Sequence, residues 1–431
     1  MWRLKRVDKV PEGLCLHAER AFVSPLSFPV SEMERSRIDR LIMAQEHLPE
    51  LSRESVRAMQ LEKLNRLLKR EKERGGFYRD LPERLESLDE LQLLPFTTEE
   101  DLARNAPGLL LCSQSEISRV LSDATSGTTG AAKRVFYTEG DCRRTVELFA
   151  AGLGELIFPG SVTMICFPFS GPNGLGELIA KAVESLGAKP LKLGTALSYG
   201  EFSQVLDREK PDTFVGMPVQ LLSLLRVCGR GSLRRALVSG DACPPAILTA
   251  CEELLGSRLF PHYGSREMAL GGAICCPAHE GMHLRENHVI AEIVDEAGRV
   301  LPPGQWGELV ITTIGMEAMP LIRYRTGDRT RILPESCPCG SWVLRLDRVS
   351  RLGESTRMAE LDERFLALPF VADIHGSMEG GRLCLTVLTC GVGELPKIDG
   401  QIVQRPVTMG DRALYIGKRR IERNEPLEQM I

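Results

Sequence analysis

Apolar positions in the first hundred residues recur at helical spacing among many charged residues. Between residues 34 and 75 the apolar side chains fall at positions 38, 41, 42, 48 and 51, a spacing that is typical of an amphipathic helix. Pro49 is expected to divide this stretch in two, because proline lacks the amide hydrogen that a helix interior needs. A short helix is predicted over Leu85–Leu94, and Thr98 with Asp101 resembles a capping box at the start of another. The pattern predicts a mainly helical segment over residues 1–100.

From about residue 105 the pattern changes to short β-rich runs that alternate with helical runs. VTMICFPF at 162–169 is typical of a buried strand, and the amphipathic run after it ends at Gly187. Further strands are predicted at 213–218 and 234–242, each followed by a helix. Repeated alternation of strand and helix favours a mostly parallel sheet covered by helices over residues 105–290.

Residues 288–330 show a different pattern, in which apolar and polar side chains alternate as they do in antiparallel strands. The runs HVIAEIVD, GELVITTI and LIRYRTGD carry it, with a Pro-Pro-Gly turn between the first two. The tail at 348–431 has one clear strand, RLCLTVLTC at 382–390, and a basic end, GKRRIER.

Composition places the chain among ordinary globular proteins. Of its 431 residues, 43% are apolar and 26% are charged, which argues against long disorder, a collagen-like repeat or a coiled-coil rod. The net charge of −4 gives no reason to expect a nucleic acid or a membrane surface as a partner. The first twenty residues lack the apolar core of a signal peptide, and no apolar run is long enough to span a membrane.

The number and placement of the cysteines indicate the cellular compartment. There are 13, so they cannot all be paired, and most stand singly in apolar runs, as Cys166, Cys228 and Cys384 do. This usage is typical of a reducing compartment, where a cysteine cluster more often binds metal than forms disulfides. We therefore expect a cytoplasmic protein.

The strongest chemical signal is the run TSGTTGAAK at residues 125–133. Glycines and small hydroxyl residues form loops whose N–H and hydroxyl groups can surround phosphate oxygens, and Lys133 would add positive charge. The run is not a Walker A motif, because the Gly-Lys-Ser/Thr ending is missing. The alternative interpretation is a flexible polar turn.

Three further stretches occur in order after this loop: SGD at 239–241, HYGSREMAL at 262–270 and LIRYRTGD at 321–328. With the loop, they resemble the signatures of the adenylate-forming acyl ligase superfamily, most closely the phenylacetate–CoA ligase branch and its relatives the coenzyme F390 synthetases. The similarity extends from about residue 35 to 350.

The resemblance implies an α/β fold with two domains. A large N-terminal adenylation domain over 1–347 would contain packed, mostly parallel sheets with helices plus an antiparallel sub-barrel over 288–347, and a small, shortened α+β lid domain would follow over 348–431. In such AMP-forming acid–thiol ligases a carboxylate attacks the α-phosphorus of ATP, which releases pyrophosphate and leaves an acyl-adenylate, and CoA then accepts the acyl group. We therefore expect ATP, Mg²⁺, CoA and a small carboxylic acid as ligands.

The resemblance also assigns roles to residues in the signatures. Lys133 would hold phosphates, and Glu267 would hold Mg²⁺, a hard ion that prefers carboxylate and phosphate oxygens. Asp328 would accept hydrogen bonds from both ribose hydroxyls, and Tyr263 would stack near the adenine. The other expected nucleotide contacts are Ser126, Gly127, Thr128, Thr129 and Gly130 in the loop, Ser239, Gly240 and Asp241 in the turn, and His262, Gly264 and Ser265 around Tyr263.

One position departs from the family pattern. Relatives usually carry a hydroxyl residue just before the glutamate, and here Arg266 stands there. Ser265, one position earlier, is the residue that could take over a phosphate contact.

A second constellation is independent of the nucleotide. Cys276 and His283 lie some sixty residues before the glycine turn that carries Cys337 and Cys339. Two thiols at such a turn, with a distant cysteine and histidine, can form a closed tetrahedral site for structural Zn²⁺. His279 is the rival histidine, and buried reduced cysteines are the alternative. Some relatives resemble zinc proteins here, with a C-x-C-G turn in the same place.

The tail departs most from the family. The hinge stretch reads SRLGES at 350–355, whereas MAELDERFLALPFVADIHG at 358–376 resembles a helix and strand of the family's mobile domain. Lys418 is the candidate for that domain's catalytic lysine, and a basic surface run is the alternative.

The acid is expected to contact FPFSGPNG at 167–174 and VGMP at 215–218, whose apolar and small residues suit an aromatic or a medium-sized apolar acid. Two other functions stay open: an adenylating ligase whose acceptor is an amine, a carrier protein or another protein, and a nucleotide-binding relative without turnover. A homodimer is compatible with the sequence.

Overall fold

The computed structural model describes residues 36–123, 133–353, 355–414 and 419–423. Its α-helices, in chain order, are α1 (Arg37–Glu46), α2 (Arg53–Arg74), α3 (Glu99–Asn105), α4 (Glu139–Leu153), α5 (Leu175–Ser185), α6 (Tyr199–Glu209), α7 (Pro218–Cys228), α8 (Pro245–Leu255) and α9 (Ser355–Phe365). No helix in the described part of the chain is long and apolar enough to cross a membrane.

The strands are named in the same way. They are β1 (Ile117–Asp123), β2 (Lys133–Thr138), β3 (Val162–Ile165), β4 (Lys189–Lys192), β5 (Thr213–Gly216), β6 (Arg235–Val238), β7 (Phe260–Tyr263), β8 (Ala273–Cys275), β9 (Met282–Leu284), β10 (Ile290–Val294), β11 (Gly307–Thr312), β12 (Tyr324–Thr330), β13 (Arg345–Leu346), β14 (Ser350–Arg351), β15 (Val371–Glu379), β16 (Arg382–Thr389), β17 (Gln401–Pro406) and β18 (Glu422–Arg423).

The ends of the first helices lie close to the proline and capping residues that predicted them. α1 ends before Pro49 and α2 starts after it, as predicted. At α3 the Thr98 hydroxyl accepts from the Asp101 N–H, and the Asp101 carboxylate accepts from the Thr98 N–H, which confirms the capping box. The helix predicted over Leu85–Leu94 is only a 3₁₀ helix over Leu88–Leu93.

An eight-stranded sheet forms the centre of the protein, in the order β13-β9-β8-β7-β6-β5-β3-β4. Strands β7, β6, β5, β3 and β4 are parallel, as the alternation of strand and helix predicted. β8, β9 and β13 extend the sheet with antiparallel pairs. The central parallel strands β3, β5 and β6 are short and mostly buried because helices cover them.

The predicted antiparallel segment is a second sheet, in the order β10-β11-β12-β14. β14 lies beyond residue 347, where the sequence analysis set the domain boundary, and it pairs Arg351 with Asp328. A separate hairpin of β1 and β2 pairs Asp123 with Lys133 on either side of the Gly/Thr run.

The C-terminal segment packs on the helices of the main sheet. Its own sheet has the order β17-β16-β15-β18, and α9, β15 and β16 share one apolar core with α6, α7 and α8, in which Phe365 is fully buried. Arg226 of α7 donates hydrogen bonds to the carbonyl oxygens of Leu366, at 2.8 Å, and Val371. The segment that the resemblance assigned to a lid therefore buries side chains among helices of the large domain.

Candidate active site

A cavity of about 470 Å³ lies at the carboxyl ends of four parallel strands. Phe167 after β3, Met217 after β5, Ser239 after β6 and Gly264 after β7 line it, and Asp328 of β12 lines another side. Ligands of open α/β sheets bind at this edge, because the loops that leave the strands converge there.

A buried ion pair joins two groups that the resemblance makes catalytic. Lys133 contacts the carboxylate of Glu267, which lies in a 3₁₀ helix after β7 and is 5% exposed. Lys133 Nζ also lies 3.2 Å from the Tyr324 hydroxyl and 3.4 Å from the Glu99 carboxylate. Burial alone would raise the pKa of Glu267, but the charge of Lys133 and hydrogen bonds to the carboxylate lower it to about 2. Glu267 is therefore ionised at neutral pH.

Asp328 lies in the same cavity with both carboxylate oxygens engaged. Oδ2 accepts a hydrogen bond from the Tyr263 hydroxyl at 2.7 Å, and Oδ1 lies 3.0 Å from Arg351 Nη1. These partners come from β7 and β14, on either side of the cavity, and they orient the buried carboxylate. Burial and the Asp328 charge raise the pKa of Tyr263 well above its ordinary value, so Tyr263 remains a hydrogen-bond donor.

The Ser239–Asp241 turn lines the cavity after β6. Gly240 has a φ of +86°, and an added Cβ would lie 3.0 Å from the Phe167 ring, so glycine is required for this turn. The Ser239 hydroxyl lies 2.8 Å from His262 Nδ1. Asp241 accepts from the backbone N–H groups of Ala242 and Arg419, both at 2.8 Å.

His262, which the resemblance made a nucleotide contact, lines the cavity in an aromatic environment. Its ring stacks on Phe149, with centroids 4.7 Å apart, and both rings line the cavity. Burial lowers the pKa of His262 to about 4, so the ring is neutral at pH 7. His262 therefore belongs to an uncharged aromatic wall.

Several predicted residues lie outside the described residues: Ser126, Gly127, Thr128, Thr129, Gly130 and Lys418. Gly264, Ser265 and Arg266 line the cavity next to Glu267. Gly264 must be glycine, since a Cβ there would lie 2.2 Å from the carbonyl oxygen of Leu270.

Arg351, Tyr324 and Phe149 are site residues that the sequence analysis missed. Arg351 falls in the stretch interpreted as an altered hinge, and only the pairing of β14 with β12 brings it to Asp328. Tyr324 is the first residue of the YRTGD signature, so its position could have been noticed, whereas Phe149 lies on α4 with no motif around it.

The cysteines and one histidine form a buried group beside the sheet. The ligand atoms of Cys276, His283, Cys337 and Cys339 all lie within 4.8 Å of one another. Two sulfurs, of Cys276 and Cys337, are 3.7 Å apart, close to the edge of about 3.8 Å that a tetrahedron with Zn–S bonds of 2.3 Å would have. The donor set and its geometry thus fit a structural zinc ion.

His279, the rival ligand, lies outside this group. Its Nδ1 is 2.9 Å from the carbonyl oxygen of Leu259, and its ring packs against Phe260 with centroids 4.4 Å apart. His283 is the histidine at the thiols because β9 pairs with β13, the strand that follows the Cys337–Cys339 turn, and its Nε2 lies 3.3 Å from the Cys339 sulfur.

Comparison with known proteins identifies the family of the chain. Residues 123–318 match the family model of AMP-binding enzymes. A phenylacetate–coenzyme A ligase of Thermus thermophilus is 30% identical over 414 residues, which cover 89% of this chain and 92% of that protein. The chain belongs to the phenylacetate–coenzyme A ligase family. The family ligase of Aromatoleum evansii is 31% identical over 67% of this chain and 69% of its own length, and the predicted resemblance is confirmed.

The fold of this phenylacetate–coenzyme A ligase family member also matches a solved structure. The 2-hydroxyisobutyryl-CoA ligase in its postadenylation state, with 2-HIB-AMP bound, superimposes with a TM-score of 0.71 at 19% identity, covering 88% of this chain and 91% of that one. This likeness confirms the predicted α/β fold class.

Proposed function

We propose that this protein joins a carboxylic acid to CoA in two steps at one cavity. The acid first attacks the α-phosphorus of ATP, giving an acyl-adenylate and pyrophosphate, and the CoA thiol then displaces AMP. The observation that carries the proposal is the convergence of Lys133, Glu267 and Asp328 on one cavity at the strand ends, in a member of this family.

The Lys133–Glu267 pair is suited to a site that binds the negatively charged phosphates of ATP. Without nucleotide, each group neutralises the other in a buried place. The phosphates of ATP would attract the Lys133 ammonium, and Glu267 would then hold Mg²⁺, which supplies shielding of phosphoryl charge. Lys133 would thus exchange Glu267 for phosphate, and Glu267 would exchange Lys133 for Mg²⁺. Each buried charge would have an opposite charge beside it both with and without ATP.

Asp328 is suited to hold the ribose. A carboxylate is an acceptor with two oxygens, which matches the two adjacent hydroxyl groups of a ribose, and Tyr263 and Arg351 orient this one. Because these two partners hold the carboxylate in place, ribose binding would cost little side-chain ordering.

The aromatic and apolar residues that line the cavity support an aromatic acid as substrate. Phe149, Phe167 and Met217 line the cavity together with the neutral His262 ring. Aromatic side chains prefer offset or edge contacts with other rings, and an aryl group beside Phe149 would make them.

Lys418 is proposed to approach the reacting groups from the C-terminal segment. The next residue, Arg419, donates its backbone N–H to Asp241 at 2.8 Å, and Asp241 lines the cavity. The Arg419 side chain is held by ion pairs to Asp362 at 2.6 Å and Asp373 at 3.1 Å. The anchoring of Arg419 next to a cavity residue supports its sequence neighbour Lys418 as the candidate catalytic lysine.

The four-residue cluster is proposed to hold a structural Zn²⁺ ion. Cys276, His283, Cys337 and Cys339 would supply a complete tetrahedral set, and a closed set of this kind stabilises folding without taking part in chemistry.

The function is tested by ATP–pyrophosphate exchange and thioester formation across a panel of aryl and aliphatic acids. We expect acid-dependent exchange without CoA, and acyl-CoA and AMP in equal amounts once CoA is added. Exchange without CoA-dependent product would instead favour another acceptor, and the absence of exchange with every acid would favour a nucleotide-binding relative without turnover.

A further inference from the structure

A cluster of three arginines around one tryptophan lies at the edge of the cavity, and the proposed adenylation step does not use it. The guanidinium carbons of Arg329, Arg331 and Arg348 lie 5.1, 5.2 and 5.4 Å from the centroid of the Trp306 ring. We call Trp306, Arg329, Arg331 and Arg348 the arginine–tryptophan cluster.

Strand geometry explains how these residues meet. Trp306 directly precedes β11, whose first residue pairs with Thr330 of β12. Arg329 and Arg331 flank Thr330 and so lie on one face of the strand. Arg348 lies two residues after the end of β13 and approaches the same ring.

The cluster carries surplus positive charge. Arg331 pairs with Asp347 at 2.7 Å. Among the residues that the structure describes, Arg329 and Arg348 have no carboxylate within ion-pair distance, and both are exposed. Three guanidiniums against one carboxylate would bind an anion favourably, since guanidinium groups bond phosphates in a bidentate manner.

One residue of the cluster, Arg348, also lines the cavity. Asp347 and Arg348 both line the cavity that holds Asp328. Lys133, by contrast, lies deep in the cavity, with 14% of its side chain exposed. Lys133 would meet the phosphates of ATP inside the cavity, which leaves the exposed arginines of the cluster available to a second anionic ligand.

We propose that the arginine–tryptophan cluster binds the 3′-phospho-ADP head of CoA while the pantetheine arm enters the cavity. That head combines several phosphate charges with a purine, and guanidinium and indole planes are the groups on which purines stack. The inference rests on the proposed function, because it places the acceptor of the second step. The thiol attacks the acyl carbon, the bond to AMP breaks, and the thiol proton is released.

Acceptor analogues test the proposal without any substitution. CoA, 3′-dephospho-CoA and phosphopantetheine are compared as acceptors of the wild-type protein. We expect KM to rise in that order, with the largest increase when the whole nucleotide is removed. Equal KM values for CoA and phosphopantetheine would overturn the inference and leave the proposed function intact, whereas no thioester with any acceptor would refute the function itself.

Substitutions of single arginines test which residues contribute to the binding of CoA. Arg329→Gln should raise the KM for CoA by about tenfold, as expected for loss of one charge-assisted phosphate contact, and should weaken its dependence on salt. The KM for phosphopantetheine should not change. Arg235→Gln is the matched control, since Arg235 lies 5.0 Å from the Phe158 ring at the other end of β6.

Two outcomes contradict the proposal. One is an unchanged KM for CoA in folded Arg329→Gln and in the Arg329→Gln/Arg348→Gln double variant. The other is a rise in the KM for ATP during exchange in place of the rise for CoA, which would assign the cluster to the first substrate.

Discussion

Replacing Glu267 by glutamine tests the electrostatics of the site most directly. Burial opposes the charge of this carboxylate, but Lys133 and hydrogen bonds lower its pKa from 4.5 to about 2. That shift corresponds to on the order of 3 kcal/mol in favour of the folded, ionised form. Because the folded-state pKa is the lower one, this contribution is complete above about pH 4.5 and is lost as the pH falls through about 2.

The variant should therefore lose both stability and chemistry. Glu267→Gln keeps the shape of the side chain but leaves Lys133 without its buried partner, so we expect a lower melting temperature at pH 7 and a smaller difference from wild type as the pH falls below 4.5. ATP affinity should persist, because a negative charge near the phosphates is removed. Pyrophosphate exchange should fall by about 10²–10³, the usual cost of losing one group that stabilises transition-state charge.

Calorimetry with ATP, isotope exchange and thermal unfolding measure the three quantities on one preparation. Glu99→Gln is the matched control, since Glu99 is the exposed second partner of Lys133, at 3.4 Å. Full exchange activity in Glu267→Gln would refute the role of Glu267 in binding Mg²⁺. An equal loss in both variants would refute the assignment of the effect to the buried pair.

Three further predictions address the ribose, the metal and the C-terminal segment. Asp328→Ala should weaken ATP binding by roughly 1.5–3 kcal/mol, as for a lost hydrogen bond to a charged group, and calorimetry showing unchanged affinity would remove Asp328 from the nucleotide site. Purified protein should contain one equivalent of zinc by elemental analysis; Cys339→Ser should lose it and melt at a lower temperature, whereas Cys384→Ser, at a buried cysteine outside the cluster, should keep it. Lys418→Ala should abolish exchange but spare acyl transfer from a supplied acyl-adenylate, and normal exchange would exclude Lys418 as the catalytic cation.

Some features depend on residues only a few positions apart, and these could be predicted from the sequence. The capping box of Thr98 and Asp101, the break at Pro49 and the alternation of strand and helix are local, because hydrogen bonding and side-chain periodicity act over a few residues. The signature motifs are also short, local stretches of sequence, and they were enough to identify Lys133 and Glu267 as candidate site residues.

Other features needed the tertiary structure, because they depend on which distant strands pair. The antiparallel register alternates side chains between two faces, and a sequence pattern predicts that alternation but not the partner strand. The choice of His283 over His279 follows from β9 pairing with β13. The Arg351–Asp328 contact follows from β14 pairing with β12, and the guanidiniums meet at Trp306 because β11, β12 and the segment after β13 converge there. In each case the sequence supplied the chemical groups, and long-range strand pairing decided which of them touch.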